Sequence, residues 1–118
     1  MTSTAMEPAL PPRLEYLPPE DCGSGTVIHD VAWERPGAPG RMFGVARFTV
    51  EPGCASPVDN HLSHELWMIA EGEGELTYDG VALSLAPGDI VHFQPRRDHS
   101  IRVTSPGPLR AFSVWWRP

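Results

Sequence analysis

Residues 53–74 read GCASPVDNHLSHELWMIAEGEG, and this stretch decides the fold. It contains one apolar run, LWMIA (66–70), with a segment rich in Pro, Asp and Asn before it and EGEG (71–74) directly after it. Short apolar runs between such residues are typical of strands joined by turns, and they are too short for an amphipathic helix. The stretch therefore predicts a β strand that ends in a turn.

The same alternation of apolar runs and turn residues continues on both sides of this stretch. From Thr26 onward, short apolar runs alternate with turn signals such as RPGAPG (35–40), DG (79–80) and PGD (87–89). Asp79 and Gly80 suit a two-residue hairpin turn because both tolerate a positive φ. The chain is thus predicted to be all-β, with eight to ten short strands that form a small barrel or a jelly-roll sandwich.

The first 24 residues differ from the rest because they hold five prolines and little apolar periodicity. Such a segment cannot bury enough surface to order itself independently. We interpret residues 1–24 as a Pro-rich N-terminal arm and residues 25–118 as the barrel domain. The arm is either disordered or places RLEYL (13–17) along a sheet or a partner subunit.

Composition excludes several classes of function. The net charge is −6 and the densest basic cluster has only two arginines, which argues against a nucleic-acid surface. No apolar run is long enough for a membrane helix and the N-terminus lacks a signal peptide, so we expect a cytoplasmic protein. Cys22 and Cys54 match no metal spacing and are expected to be free thiols.

Four ionisable side chains concentrate just before the apolar run. In an unbroken strand, Asp59, His61 and Glu65 would face one side together with Trp67, whereas His64 would face the other unless a bulge reversed it. Mixed nitrogen and oxygen ligands suit Fe, Mn, Zn, Ni or Cu. The pattern favours a metal site over the alternative of side chains that are only hydrogen-bonded to one another in the barrel.

These residues resemble the cupin superfamily. Gly53, Asp59, His61, Glu65 and Gly72 follow the spacing of the first cupin motif, G-x5-H-x-H-x3,4-E-x6-G, with Asp59 in the place of the first His. Only Gly88 and His99 match the second motif, G-x5-P-x-G-x2-H-x3-N. The resemblance covers about residues 40–117 and implies a double-stranded β-helix, the jelly-roll barrel of cupins.

The resemblance also implies a site. Carried over residue by residue, it gives His61, Glu65 and His99 as ligands of one divalent metal ion, which could be Zn, Fe, Mn or Ni. Asp59 either completes the shell, binds through water or acts as a general base, and Glu65 is the second carboxylate available for catalysis.

Four further residues are predicted to line a substrate pocket: Trp67, His92, Arg96 and Trp115. Trp67 is two residues after Glu65 and would face the same side of a strand. His92 and Arg96 lie shortly before His99 in the sequence. Trp115 and Trp116 must point to opposite faces of the last strand, so one of them lines the interior. The outward tryptophan is a candidate for a homodimer interface, since small cupins are often homodimers.

The predicted function is that of a metal-dependent cupin enzyme acting on a small molecule, by isomerase, cyclase or lyase chemistry or as a dioxygenase. SHELWMIAEGEGEL (63–76) and FSVWW (112–116) are also similar to cupin domains that form N–N bonds in natural product biosynthesis. The alternative is a non-catalytic cupin that binds or senses a small molecule.

Overall fold

A computed structural model of the chain describes residue 11, residues 13–32 and residues 43–118. Within these ranges the chain forms nine strands and no helix, which confirms the all-β prediction. None of the described residues belongs to a helix that could cross a membrane. The strands are β1 Glu20–Gly23, β2 Thr26–Asp30, β3 Phe43–Val50, β4 His64–Glu71, β5 Gly74–Tyr78, β6 Val81–Leu85, β7 Ile90–Phe93, β8 His99–Val103 and β9 Leu109–Trp116.

The strands form two sheets, one of six strands and one of three. The larger sheet has the order β1-β2-β3-β9-β4-β7 and the smaller has the order β6-β5-β8, with antiparallel pairing throughout. The segment before β4 extends the smaller sheet, because Ala55 bridges to Arg102 and Asp59 bridges to His99. The chain therefore crosses from the smaller sheet to the larger one between Asp59 and His64.

The core lies between the inner faces of the two sheets. Strands β3, β4, β8 and β9 alternate between buried and more exposed residues, as a strand with one face in a core requires. The buried residues that pack together are Phe48, Val50, Trp67, Ile69, Leu76, Leu85, Phe93, Ile101, Val103, Leu109 and Ala111. Thr26, Glu65, His99 and Ser113 are buried as well, so polar side chains share the interior with this core.

The hairpin predicted at Asp79 and Gly80 is confirmed. Tyr78 pairs with Val81, and the two residues between them have φ values of 48° and 82°. These positive values are those of the turn that matches the twist of a two-residue hairpin.

The described part of the N-terminal arm lies along the larger sheet. Tyr16 bridges to Val31, the Leu17 N–H donates to the Asp30 carbonyl, and β1 pairs with β2. The boundary expected after residue 24 falls in the turn between β1 and β2. Residues 1–10 and 12, which hold two of the five prolines, lie outside the described residues, as does the RPGAPG turn (35–40).

Candidate metal centre

Four side chains meet between the two sheets: Asp59, His61, Glu65 and His99. One possible ligand atom from each lies within 4.8 Å of those of the other three. His99 comes from the smaller sheet, Glu65 from the larger, and His61 from the crossing between them. The structure therefore brings together all four residues that the sequence assigns to the metal.

The reason for their convergence differs from the one predicted. The chain bends at Leu62 and Ser63, so Asp59 and Glu65 do not share one unbroken strand. Asp59 instead pairs with His99, each backbone N–H donating to the other's carbonyl at 3.0 Å. Strand alternation accounts only for Glu65 and Trp67, which lie on the same face of β4. The other residues reach Glu65 because the two sheets face each other.

Glu65 is the centre of the cluster. Its Oε1 lies 2.9 Å from Nε2 of His61 and 3.1 Å from Nε2 of His99. Two ligands that are each ~2.1 Å from one ion and at a right angle around it lie ~3.0 Å apart. The two distances from Oε1 are therefore those of hydrogen bonds to the histidines and are also compatible with adjacent ligands on one metal ion.

The opposite oxygen of Glu65 is held by the barrel. The Trp67 indole N–H donates to Oε2 at 3.0 Å, and the Ser113 hydroxyl donates to the same atom. Burial alone would raise the pKa of Glu65, but the hydrogen bonds from the two histidines, Ser113 and Trp67 outweigh burial and lower the pKa to about 2. Glu65 is thus a carboxylate whose Oε1 is directed at the histidines.

Each histidine ring is oriented by a backbone carbonyl. Nδ1 of His61 lies 2.9 Å from the Ser63 carbonyl oxygen, and Nδ1 of His99 lies 3.1 Å from that of Arg97. Because a carbonyl oxygen only accepts, each Nδ1 carries the hydrogen, and in the neutral ring Nε2 presents a lone pair. Carbonyl-held histidines of this kind are typical of metal ligands.

Oε1 of Glu65 faces the Nε2 atoms of both histidines, and these three atoms are joined either by protons on the nitrogens or by a metal ion. Without a metal, protons must bridge Glu65 to the histidines. Burial alone would lower the pKa of His99, but its hydrogen bonds to Glu65 and to the Arg97 carbonyl raise the pKa above its ordinary value. The cluster therefore fits a divalent metal, which satisfies all three atoms at once.

Asp59 lies at the edge of the cluster. Its Oδ2 is 3.8 Å from Nε2 of His61 and 3.9 Å from Nε2 of His99, and 61 % of its side chain is exposed. Glu65 approaches the same nitrogens about 0.8–0.9 Å more closely, as these distances differ from its 2.9 and 3.1 Å. Asp59 is thus placed to face both the cluster and solvent.

Two cavities adjoin the cluster, with volumes of about 270 Å³ and 300 Å³. Both are lined by Ile28, Phe48, Asp59 and Glu65. The first continues past Trp67 and His99 toward Thr26, and the second past His61 and Ser113 toward Trp115. The structure therefore places Trp67 in the wall of the first cavity and Trp115 in the wall of the second.

The structure does not place His92 in either cavity, contrary to the sequence prediction. His92 pairs with Leu66 across β7 and β4, so its side chain is on the outer face of the larger sheet. There its ring is parallel to those of His64 and Trp116, with centroids 5.2 Å and 5.9 Å away. The same stacking holds His64 away from the metal cluster, and Trp116 faces outward as alternation requires.

Arg96 also lies outside both cavities. It is exposed and has a φ of 63°, and its backbone N–H donates to the His61 carbonyl at 2.8 Å. The main chain of Arg96, not its guanidinium, thus contacts the cluster. Ser113 and Thr26 also line the cavities but were not predicted from the sequence; the available signal was a small polar residue at an inward position of an apolar strand.

Comparison with known protein families and structures identifies the family of the chain. A Cupin domain family model (Cupin_2) matches residues 46–115, which carry all four cluster residues. The chain belongs to the cupin family. The recognition made from the two motifs is therefore confirmed.

Solved cupins of several organisms share the fold. A Cupin 2 conserved barrel domain protein from Salinispora arenicola CNS-205 is 23 % identical, with 95 % of this chain and 89 % of that chain covered and a TM-score of 0.70. A predicted oxalate decarboxylase from Thermotoga maritima is 20 % identical, with 89 % and 92 % covered and a TM-score of 0.69. The Cupin_2 domain of an XRE family transcriptional regulator from Enterobacter cloacae is 23 % identical, with 80 % and 98 % covered and a TM-score of 0.66. These neighbours include both a named enzyme and a regulator, so the fold alone does not decide the activity.

Proposed function

We propose that this cupin is a metal-dependent enzyme that acts on a small organic molecule. One divalent metal ion binds to His61, Glu65 and His99, and the molecule occupies the adjoining cavities. The observation that carries the proposal is the convergence of two carbonyl-held histidine Nε2 atoms on the Glu65 Oε1, at 2.9 Å and 3.1 Å. Such a set of acceptors fits a cation and is costly to bury without one.

The residues around the cluster have distinct roles in this proposal. A bound divalent ion would supply Lewis-acid polarisation of a carbonyl or hydroxyl oxygen. Asp59 moves a proton on the substrate, because it is the carboxylate that lines both cavities and is still reached by solvent. Trp67 and Phe48 exclude water from the first cavity and hold the apolar part of the substrate.

Elemental analysis of the untagged protein, purified without chelator, tests the metal. We expect close to one equivalent of a single divalent metal, either as purified or after reloading with Zn, Fe, Mn or Ni in turn. Iron would favour oxygenation, whereas zinc or nickel would favour acid–base chemistry such as isomerisation or elimination. A protein that takes up no metal even after reloading would contradict the proposal and would fit a binding or sensor cupin.

Substitution of Asp59 separates a proton carrier from a metal ligand. We expect Asp59→Asn to change the metal dissociation constant by less than about tenfold, because Asp59 is exposed and more distant from the histidine nitrogens than Glu65 is. Asp59→His restores the residue of the common motif and should bind the metal at least as tightly as the wild type. Metal titrations followed by calorimetry measure both variants, and a loss of about 100-fold or more in Asp59→Asn would show that Asp59 is a direct ligand.

N–N bond formation and a place in natural product biosynthesis stay predictions from the sequence, as does the homodimer. N–N bond formation and natural product biosynthesis fit the proposed site in one respect: both require a small molecule in the barrel.

A further inference from the structure

The first cavity contains one buried hydroxyl group without a partner. Thr26 is 3 % exposed, and its Oγ1 is the only fully buried side-chain nitrogen or oxygen of the described residues that has no hydrogen bond. Thr26 and Ile28 lie on the same side of β2, and both line this cavity. Buried polar groups in proteins are almost always paired, so a partner from outside the protein is expected.

The surroundings of Thr26 show what kind of partner fits. The same cavity is lined by Glu65 and His99 of the metal cluster and by Phe48 and Trp67, whose ring centroids are 4.9 Å apart. Thr26 pairs with Val50, which pairs with Leu109 at the start of β9, whereas Glu65 pairs with Trp115 near the end of β9, so Thr26 and Glu65 are at opposite ends of the larger sheet. Its volume of about 270 Å³ suits a molecule of small size. A molecule in this cavity would therefore meet the metal cluster, two aromatic walls and then a hydroxyl that both donates and accepts.

We propose that Thr26 is a ligand-binding residue that recognises the end of the substrate remote from the metal. The substrate class follows: a small molecule with an oxygen donor at one end, a flat apolar body, and a hydroxyl, amino or carbonyl group at the other end. The oxygen donor in this substrate class rests on the proposed metal site. The polar group that contacts Thr26 rests instead on the cavity and on the unpaired hydroxyl.

Hydroxamates of increasing length test this assignment, because a hydroxamate binds a divalent metal whatever the natural substrate is. The probes are benzohydroxamate, phenylacetohydroxamate and 3-phenylpropanohydroxamate, each with and without a para-hydroxyl group. In the metal-loaded wild type, we expect at least one hydroxylated probe to bind about 10-fold more tightly than its unsubstituted partner.

The variants Thr26→Val and Thr26→Ser show whether this preference comes from Thr26. Thr26→Val keeps the shape without the hydroxyl, so the preference should fall to about twofold or less, whereas Thr26→Ser should retain it. Thr49→Val on β3 is the matched control, since Thr49 does not line this cavity, and the preference should be unchanged. Equal affinities for all three pairs in the wild type would overturn the assignment.

Failure of all six probes to bind would also overturn the proposed substrate class. The metal content then separates the two conclusions: a protein loaded with metal but unable to bind the probes keeps its proposed metal centre and loses only this inference. A protein without metal loses both.

The stability of the metal-free protein gives a second test that needs no ligand. If the hydroxyl awaits a ligand, Thr26→Val removes an unpaired buried polar group, and the melting temperature should stay the same or rise. If the hydroxyl is instead hydrogen-bonded to a structural water or to the backbone, Thr26→Val should lower the melting temperature more than Thr49→Val does. That outcome would overturn the assignment.

Discussion

Glu65→Gln is expected to weaken metal binding by at least about 100-fold while the barrel stays folded. Gln has the shape of Glu, and its carbonyl oxygen can accept the hydrogen bonds that Trp67 and Ser113 now donate to Oε2. The amide NH₂ then faces the Nε2 atoms of His61 and His99, to which it can donate. The substitution therefore replaces a metal ligand by a hydrogen-bond donor and leaves every polar atom of the cluster paired.

Because every polar atom of the cluster stays hydrogen-bonded in Glu65→Gln, loss of metal binding can be separated from loss of stability. The metal-free Glu65→Gln variant should melt at or above the temperature of the metal-free wild type, yet it should gain no stability when metal is added. Glu71→Gln is the control, because Glu71 is exposed at the end of the same strand, and its metal titration should match that of the wild type. Metal uptake by Glu65→Gln equal to that of the wild type would show that the histidines alone form the site.

The described strands could be predicted from the sequence because their signals are local. Turn residues between apolar runs predicted the strands, and Asp59, His61, Glu65 and His99 were found by their spacing and by the likeness to cupins. The hairpin at Asp79 and Gly80 needed only two residues with positive φ. The strands and the hairpin depend on neighbours in the chain, whereas His99 was identified by the resemblance to cupins.

The errors concern residues whose environment is set by distant strands. His92 was predicted in the pocket because it precedes His99, but its face depends on the register of β7 against β4, which no local pattern specifies. For the Pro-rich residues before β1, composition left two alternatives open, disorder or contact with a sheet, and the described residues Tyr16 and Leu17 contact the larger sheet at Val31 and Asp30. Thr26 and Ser113 were missed because their roles require cavities and partners more than 40 residues away, such as the Ser113 contact with Glu65.

Gly72 closes the first motif, and its substitution has the second large expected effect. It follows β4 directly, next to the irregular pairing of Ile69 and Glu71 with β9. Its φ is +80°, and a Cβ atom built on it would lie 2.3 Å from the Pro108 carbonyl oxygen and 2.8 Å from the Leu109 Cα. Because both obstructing atoms belong to the backbone, the added methyl group can be accommodated only if β4 and β9 separate.

Gly72→Ala should therefore lower the free energy of unfolding by roughly 3–5 kcal/mol, at the upper end of single-site effects. Gly53→Ala is the matched control, since Gly53 also has a positive φ, +76°, but nothing lies within 4 Å of the added Cβ atom. It should cost only the ~1–2 kcal/mol of a left-handed conformation for a residue with a side chain. Urea denaturation of both variants measures the difference. Equal losses would mean that the first motif ends in Gly only for its φ, whereas a larger loss for Gly72→Ala would show that the close approach of β4 to Pro108 and Leu109 is the reason.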